Sequence, residues 1–195
     1  MRPYISIDIE TTGIDDRSEI LQISAVVDDG NSLDKLTTID LPIKHEFIEY
    51  SEPYAIGMNA KLFEKMMDRD FKTYSPLSAI QALCGLMEHV QNTYLDENGK
   101  EQKIMFAGKN VASFDIPKIR NFIKKHSGTF GYLEYFDKMC HYKTLDVGSL
   151  YFDVFGDNVS LTKINKLTER NEVSHNALDD AWDVIHAVRH KLGIK

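Results

Sequence analysis

Apolar and polar residues alternate from Tyr4 to Ile9, with Ile5, Ile7 and Ile9 on one face and Ser6, Asp8 and Glu10 on the other. A period of two marks a strand with one face toward a core. Thr11-Thr12-Gly13 then punctuates it as a turn. Ile20 to Val27 (ILQISAVV) reads as a second strand, rich in β-branched residues and closed by the turn residues Asp28-Asp29-Gly30-Asn31. A third strand is expected over Leu36 to Ile43. The short connections imply an antiparallel meander.

Spacings of three and four then take over. Asn59 to Asp70 carries Leu62, Phe63, Met66 and Met67 on one helical face. Ser75-Pro76 opens another helix with a cap residue and a first-turn proline, and its stripe is Leu77, Ile80, Leu83, Cys84, Met87 and Val90. Asp96 to Lys103 is a polar loop, and Ile104 to Ala107 fits a buried strand. Ile116 to Lys125 predicts a helix with Ile119, Phe122 and Ile123 inward. Tyr142 to Phe155 and Ser160 to Glu169 read as short helices. The last helix spans Ala177 to Leu192, with Leu178, Ala181, Trp182, Ile185, Val188 and Leu192 on its apolar stripe. Strands first, then strand–helix alternation, predicts an α/β layer structure on a mixed sheet. No Gly/Ser/Pro-rich linker divides the chain, so a single domain over residues 1–195 is expected.

Charge complicates the picture. The chain has 30 Asp+Glu against 23 Lys+Arg, a formal net charge of −7. Bulk electrostatics therefore argue against a module that coats nucleic acid, because phosphate backbones attract basic patches. Cys84 and Cys140 lack metal-binding spacing, which speaks against a cysteine-built zinc site and fits a reducing cytoplasm. The start MRPYISIDIE has no signal-peptide pattern, and no run of 18 apolar residues could span a membrane.

Three acidic stretches carry the candidate chemistry. In Asp8-Ile9-Glu10, strand geometry projects both carboxylates from one face. Like charges that close raise each other's pKa, and a hard cation such as Mg²⁺ or Mn²⁺ between them relieves the repulsion. An exposed acidic strand face is the competing reading. Thr11-Thr12-Gly13 would add backbone N–H groups for a phosphate or sugar hydroxyl. In the second stretch, Gly108 to Asp115, a buried strand runs into a loop and then a helix. Ligands of open α/β sheets collect at such strand ends, although Asp115 would also serve as an N-cap. In the third, His175-Asn176-Ala177-Leu178-Asp179-Asp180, a histidine precedes a helix whose first turn is acidic. Helix-dipole stabilisation alone would account for those aspartates.

In order and context, these stretches resemble the DnaQ-like 3′→5′ exonucleases, and within them the DEDDh subgroup that includes proofreading subunits of bacterial replicative polymerases, RNase T and oligoribonuclease. The resemblance runs from about residue 4 to residue 190, and residues 45–100 contribute no motif to it. It implies an RNase H-like fold: a mixed five-stranded sheet, three strands as an antiparallel meander plus parallel strands, flanked by helices. It also implies that Asp8, Glu10, Asp115 and Asp180 are metal ligands and His175 the general base. The tyrosine subgroup would need Tyr at position 176, which here is Asn; the family spacing selects Asp180 over Asp179. Thr11, Asn110 and Phe114 would contact the terminal nucleotide, with an ordinary core aromatic as the competing reading of Phe114. Two departures concern that contact. Asn110 has three residues between it and Phe114, whereas relatives place Asn two residues before the Phe-Asp pair, and Lys109 stands where relatives often have His. Asp146, in Leu145-Asp146-Val147, is expected to cap a helix.

The expected activity is removal of nucleoside 5′-monophosphates from single-stranded 3′ ends, DNA ahead of RNA. Two Mg²⁺ or Mn²⁺ ions would serve the cut, with His175 assisting proton removal. The alternatives are an exonuclease of RNA or oligoribonucleotides, and a catalytically silent nuclease-like module that binds a polymerase. A polymerase or another replication or repair protein is the partner considered. Two bound ions would bring the formal charge from −7 to about −3 and deliver positive charge at the scissile phosphate. Lys109, Lys118, Arg120, Lys124 and Lys125 would add a local basic path, unless they are only a solvated helix face.

Overall fold

A computed structural model describes residues 2–170 and 176–194. Its five-stranded sheet has the order β3-β2-β1-β4-β5. Strands β1 (Tyr4–Thr11), β2 (Ile20–Asp28) and β3 (Thr38–Pro42) form the expected antiparallel meander. Strands β4 (Met105–Gly108) and β5 (Leu145–Asp146) join parallel to it, β4 beside β1 and β5 at the edge. The mixed sheet flanked by helices is the RNase H-like architecture that the resemblance implied.

The sheet has two apolar faces. Ile5, Ile7 and Ile9 pack with Ile23 and Phe106 against α3 (Pro76–Thr93), α4 (Asp115–His126) and α5 (Tyr132–Met139). On the opposite face Tyr4, Val26 and Ala107 meet α6 (Val147–Leu150), α8 (Leu161–Leu167) and α9 (Ala177–Leu192). β2 is buried along its whole length because it is central and covered on both sides. Ser75 caps α3 through its hydroxyl, Pro76 occupies the first turn, and Ser160 caps α8.

Several expected elements shift. The helix read over Asn59 to Asp70 is α2 (Ala60–Met67), preceded by a separate α1 (Pro53–Met58). Asn59 sits between them outside helical geometry, so one apolar stripe could not show both. The segment Tyr142 to Phe155 is not only helical: it holds the edge strand β5, then α6 and α7 (Phe152–Phe155). A two-residue strand is too short to display a period. Helix α5 was not foreseen at all, and it buries Phe136 and Met139. Asp146 caps α6, accepting from the Ser149 N–H.

Candidate active site

The α9-facing side of β1 carries Tyr4, Ser6, Asp8 and Glu10 in alternation. Ser6 Oγ donates to the Ala181 carbonyl at 2.8 Å, which pins the start of α9 across the strand. Asp180, one residue earlier, is thereby brought to Asp8 and Glu10. One carboxylate oxygen from each of the three lies within 4.8 Å of the others. Asp179, the neighbouring candidate, is exposed, whereas Asp180 is buried. Helical rotation thus separates the two. Asn176 caps α9, its side-chain oxygen accepting from Leu178 and Asp179 N–H. His175 lies outside the described residues.

Asp115 reaches the cluster from the loop after β4. Gly108 permits the close turn there: a Cβ on it would stand 2.9 Å from Val111 Cβ and 3.1 Å from the Ile7 carbonyl. Asn110 follows in the left-handed region, φ 60°, a conformation asparagine tolerates. Its N–H donates to Asp146 Oδ2 at 2.6 Å. Asp115 is the first residue of α4, and Phe114 is its N-cap, so the cap role considered for Asp115 falls to its neighbour. The Asp115 carboxylate is buried instead, and its own backbone N–H and that of Ile9 work against the rise in pKa that burial brings.

Burial lifts the acidic pKa values first, and mutual repulsion adds to it. Asp8 is raised well above the carboxylate range by burial, then by Asp115, Asp180 and Glu10. Glu10 is pushed up to about 7 by burial and Asp180, against a lowering contact from Asn59. Asp115 is pushed up to about 7 by burial, with a smaller contribution from Glu10. Among the described residues, no Lys or Arg forms an ion pair with Asp8, Glu10 or Asp115. Converging carboxylate oxygens are the donor set of hard divalent cations, so these residues fit a metal of that class.

The substrate-contact expectations fare less evenly. Thr11 adjoins Glu10, but it is buried and its hydroxyl donates to the Gly13 carbonyl at 2.8 Å. In and after the turn, several N–H groups are already engaged within the chain. Thr12 N–H donates to Glu19 O, and those of Ile14 and Asp15 donate to Glu52 Oε1. Asn110 is exposed at its loop tip, and half-buried Phe114 packs against the larger core. The expected basic path is largely spent inside the chain. Buried Lys118 donates to the Asp15 carbonyl, Arg120 pairs with Asp137 at 3.0 Å, and Lys125 pairs with Glu19.

Two supporting residues escaped the sequence reading. Asn59, between α1 and α2, donates to the Thr11 carbonyl (3.2 Å) and the Ala55 carbonyl (3.0 Å) beside Glu10. Glu52 caps the turn after β1. Both come from the segment 45–100 that carried no motif, and no local signal marks either.

Comparison with known proteins decides the family. The chain is 30% identical over 186 residues to an oligoribonuclease of Francisella tularensis subsp. tularensis, covering 93% of this chain and 89% of the relative. It belongs to the DnaQ-like 3′→5′ exonucleases. The oligoribonuclease of Francisella tularensis subsp. novicida is 29% identical over the same length. No family model matches the chain. Among solved structures, the zinc-bound complex of E. coli exonuclease I with single-stranded DNA superposes with a TM-score of 0.66 at 14% identity, over 97% of this chain. The product-bound structure of exonuclease I also gives 0.66, at 12% identity over 99% of this chain. The chain spans only about two-fifths of those proteins, 41% and 44% of their lengths, and the likeness is one of fold. This DnaQ-like exonuclease is a hydrolase. Among its described residues no helix is long and apolar enough to cross a membrane. None of these names carries a polymerase, so the expected polymerase partner gains no support.

Proposed function

We propose that residues 1–195 act as one exonuclease domain that trims short single-stranded RNA from its 3′ end and releases nucleoside 5′-monophosphates. The observation that carries this reading is the convergence of Asp8, Glu10 and Asp180 within 4.8 Å, with Asp115 beside them. The oligoribonuclease names of its relatives favour RNA oligonucleotides over the DNA that the sequence alone put first.

Asp8, Glu10, Asp115 and Asp180 hold two divalent cations, Mg²⁺ or Mn²⁺. When bound, such ions supply Lewis-acid activation of water and neutralise charge on the departing 3′-oxygen. The four carboxylates fix where positive charge sits, Asp115 and Asp180 buried and Asp8 and Glu10 half-buried at the mouth of the site. His175, the residue before Asn176 in the sequence, takes the proton of the attacking water; the ordinary imidazole pKa of about 6.5 suits that task near neutrality. Water attacks phosphorus, the P–O3′ bond breaks, and the 5′-monophosphate leaves. Thr11, Asn110 and Phe114 frame the terminal nucleotide, Thr11 by shaping the turn next to Glu10. A second reading, single-stranded DNA, is favoured by the exonuclease I neighbours, whose structures hold dT13 and dA16 oligonucleotides.

Matched RNA, DNA and dinucleotide substrates with 5′ labels separate these readings. Mononucleotide release from short RNA faster than from DNA, in Mg²⁺ or Mn²⁺ and not in EDTA, is the expected result. Faster release from DNA overturns the RNA assignment. Asp115→Asn should abolish release with the fold intact, and His175→Ala should slow it by roughly 10²–10⁴-fold. Wild-type rates in either variant remove that residue from the chemistry.

A further inference from the structure

A second cluster of metal-ligating side chains lies apart from the four carboxylates. Glu19 immediately precedes β2, His45 follows β3, and His126 ends α4. One ligand atom from each lies within 4.8 Å of the others. The side chains of Glu19 and His45 are only 4% and 2% exposed. Phe122 walls the site, its ring centroid 6.2 Å from that of His45 and 4.8 Å from that of His126.

The His45 ring is oriented by its surroundings. Its Nε2 stands 2.7 Å from the Ile20 carbonyl, and a carbonyl only accepts, so Nε2 carries the proton. In a neutral ring Nδ1 then bears a lone pair, and it lies 4.0 Å from Glu19 Oε2. Two acceptors share one dry space at a separation too long for a hydrogen bond. A backbone carbonyl holding the far ring nitrogen is also the usual outer support of a metal-bound histidine. His126 Nε2 lies 3.1 Å from the same Glu19 oxygen. Two ligands on a tetrahedral zinc ion stand about 3.3 Å apart, between the two observed separations.

We infer that Glu19, His45 and His126 form a binding site for a Zn²⁺-class transition cation, distinct from the carboxylate cluster. Two imidazoles and one carboxylate are a known zinc donor set, whereas an all-carboxylate site selects harder ions. His45 binds through Nδ1, His126 through Nε2 once its proton sits on Nδ1, and Glu19 through Oε2, with solvent in the fourth position. Lys125 now pairs with Glu19 Oε1 and has Glu49 at 3.8 Å as an alternative partner. The site is tied to the turn behind Glu10. Thr12 N–H donates to the Glu19 carbonyl, and Glu19 N–H donates to Thr12 Oγ1 at 2.9 Å. A bound cation therefore fastens that turn to β2, to the segment after β3 and to the end of α4.

Co²⁺ titration of the full chain tests this, because four-coordinate Co²⁺ absorbs far more strongly in the visible than six-coordinate Co²⁺ on oxygen ligands. Wild type and the double variant Asp8→Asn/Asp115→Asn should each take one strongly absorbing Co²⁺ per chain, displaced by Zn²⁺. His45→Gln and His126→Gln should lose the band and keep Mg²⁺-dependent nuclease activity. Zn²⁺ should raise the melting temperature of wild type but not of His126→Gln. Should His45→Gln fail to fold, the more exposed His126 still carries the comparison. No strong band in wild type, a band that survives in His126→Gln, or one lost in the Asp8→Asn/Asp115→Asn variant overturns the site. Failure of the nuclease assignment would leave the Co²⁺ band and the melting temperatures unaffected.

Discussion

The two ends of the β1–β2–α9 layer both bury carboxylates and treat them oppositely. At one end Asp28 is fully buried and receives two hydrogen bonds from Arg189, Nε to Oδ2 at 2.9 Å and Nη2 to Oδ1 at 2.6 Å. Tyr4 Oη and the Gly30 N–H complete its shell, each at 2.8 Å. Burial alone would raise Asp28, but these donors outweigh it and hold its pKa below the usual carboxylate value. At the other end Asp8, Glu10 and Asp115 are raised, by burial first and then by neighbouring carboxylates, Asp180 among them. The same helix serves both. Arg189 and Asp180 are nine residues apart, about 13 Å along the helix axis. Burial does not distinguish a structural acid from a functional one. The distinction is whether the chain supplies the cation or leaves it to come from solution.

The most severe way to break the contrast is Arg189→Met, which turns Asp28 into a buried charge without its counter-ion. It should cost about 3–5 kcal/mol of stability, measured by denaturant unfolding. A loss below 1 kcal/mol would mean that Asp28 is not held by Arg189. Asp8→Asn should do the reverse. Activity should fall by at least about 10²–10³-fold, the scale of losing one electrostatic contact to the transition state. Metal-free stability at neutral pH should hold or rise, because a repelling charge has gone. A destabilised Asp8→Asn chain would contradict the electrostatic picture.

Acidity separates the two ends in sign. Asp28 has a lowered folded pKa, so its contribution is full above the ordinary value of 3.8 and is lost as pH falls through the lower folded value. Glu10 and Asp115 have raised folded pKa values, so their ionisation penalty is absent in strong acid. It grows as pH rises from their ordinary values, 4.5 and 3.8, to about 7. In EDTA, thermal melts should therefore show stability falling from about pH 4.5 to pH 7, and Mg²⁺ should flatten that fall. Equal slopes with and without Mg²⁺ would count against metal binding by these groups. The mildest cut is Tyr4→Phe, which removes one hydrogen bond to Asp28 and leaves Arg189 in place. A loss of about 1.5–3 kcal/mol is expected in chemical denaturation, smaller than that of Arg189→Met.

Much of the carboxylate site is local in character and could be read from the chain. Asp8 and Glu10 share a face because strands repeat every two residues, and β1 is long enough to show it. Family spacing selected Asp180, and helical rotation gives the reason, since Asp179 turns outward. The meander was legible because each of its strands is apolar enough and its connections short. The fifth strand was not, because Leu145 and Asp146 show no repeat and belong to the sheet only through Ala107 and Gly108. The basic path misled for a related reason. Periodicity places Lys118 and Arg120 on α4, but their partners Asp15 and Asp137 come from other segments.

The sequence by itself determined the meander, the amphipathic helices and the acidic residues with the spacing of an exonuclease family, because these depend on neighbours within one turn or one strand. Tertiary structure alone decided which charges meet. Asp28 finds Arg189 161 residues away, and Glu19 finds His126 107 residues away. Asn59 reaches back 48 residues to the Thr11 carbonyl. No local period encodes such pairings, since they arise only when packing of the two apolar sheet faces brings distant polar groups into the same dry space.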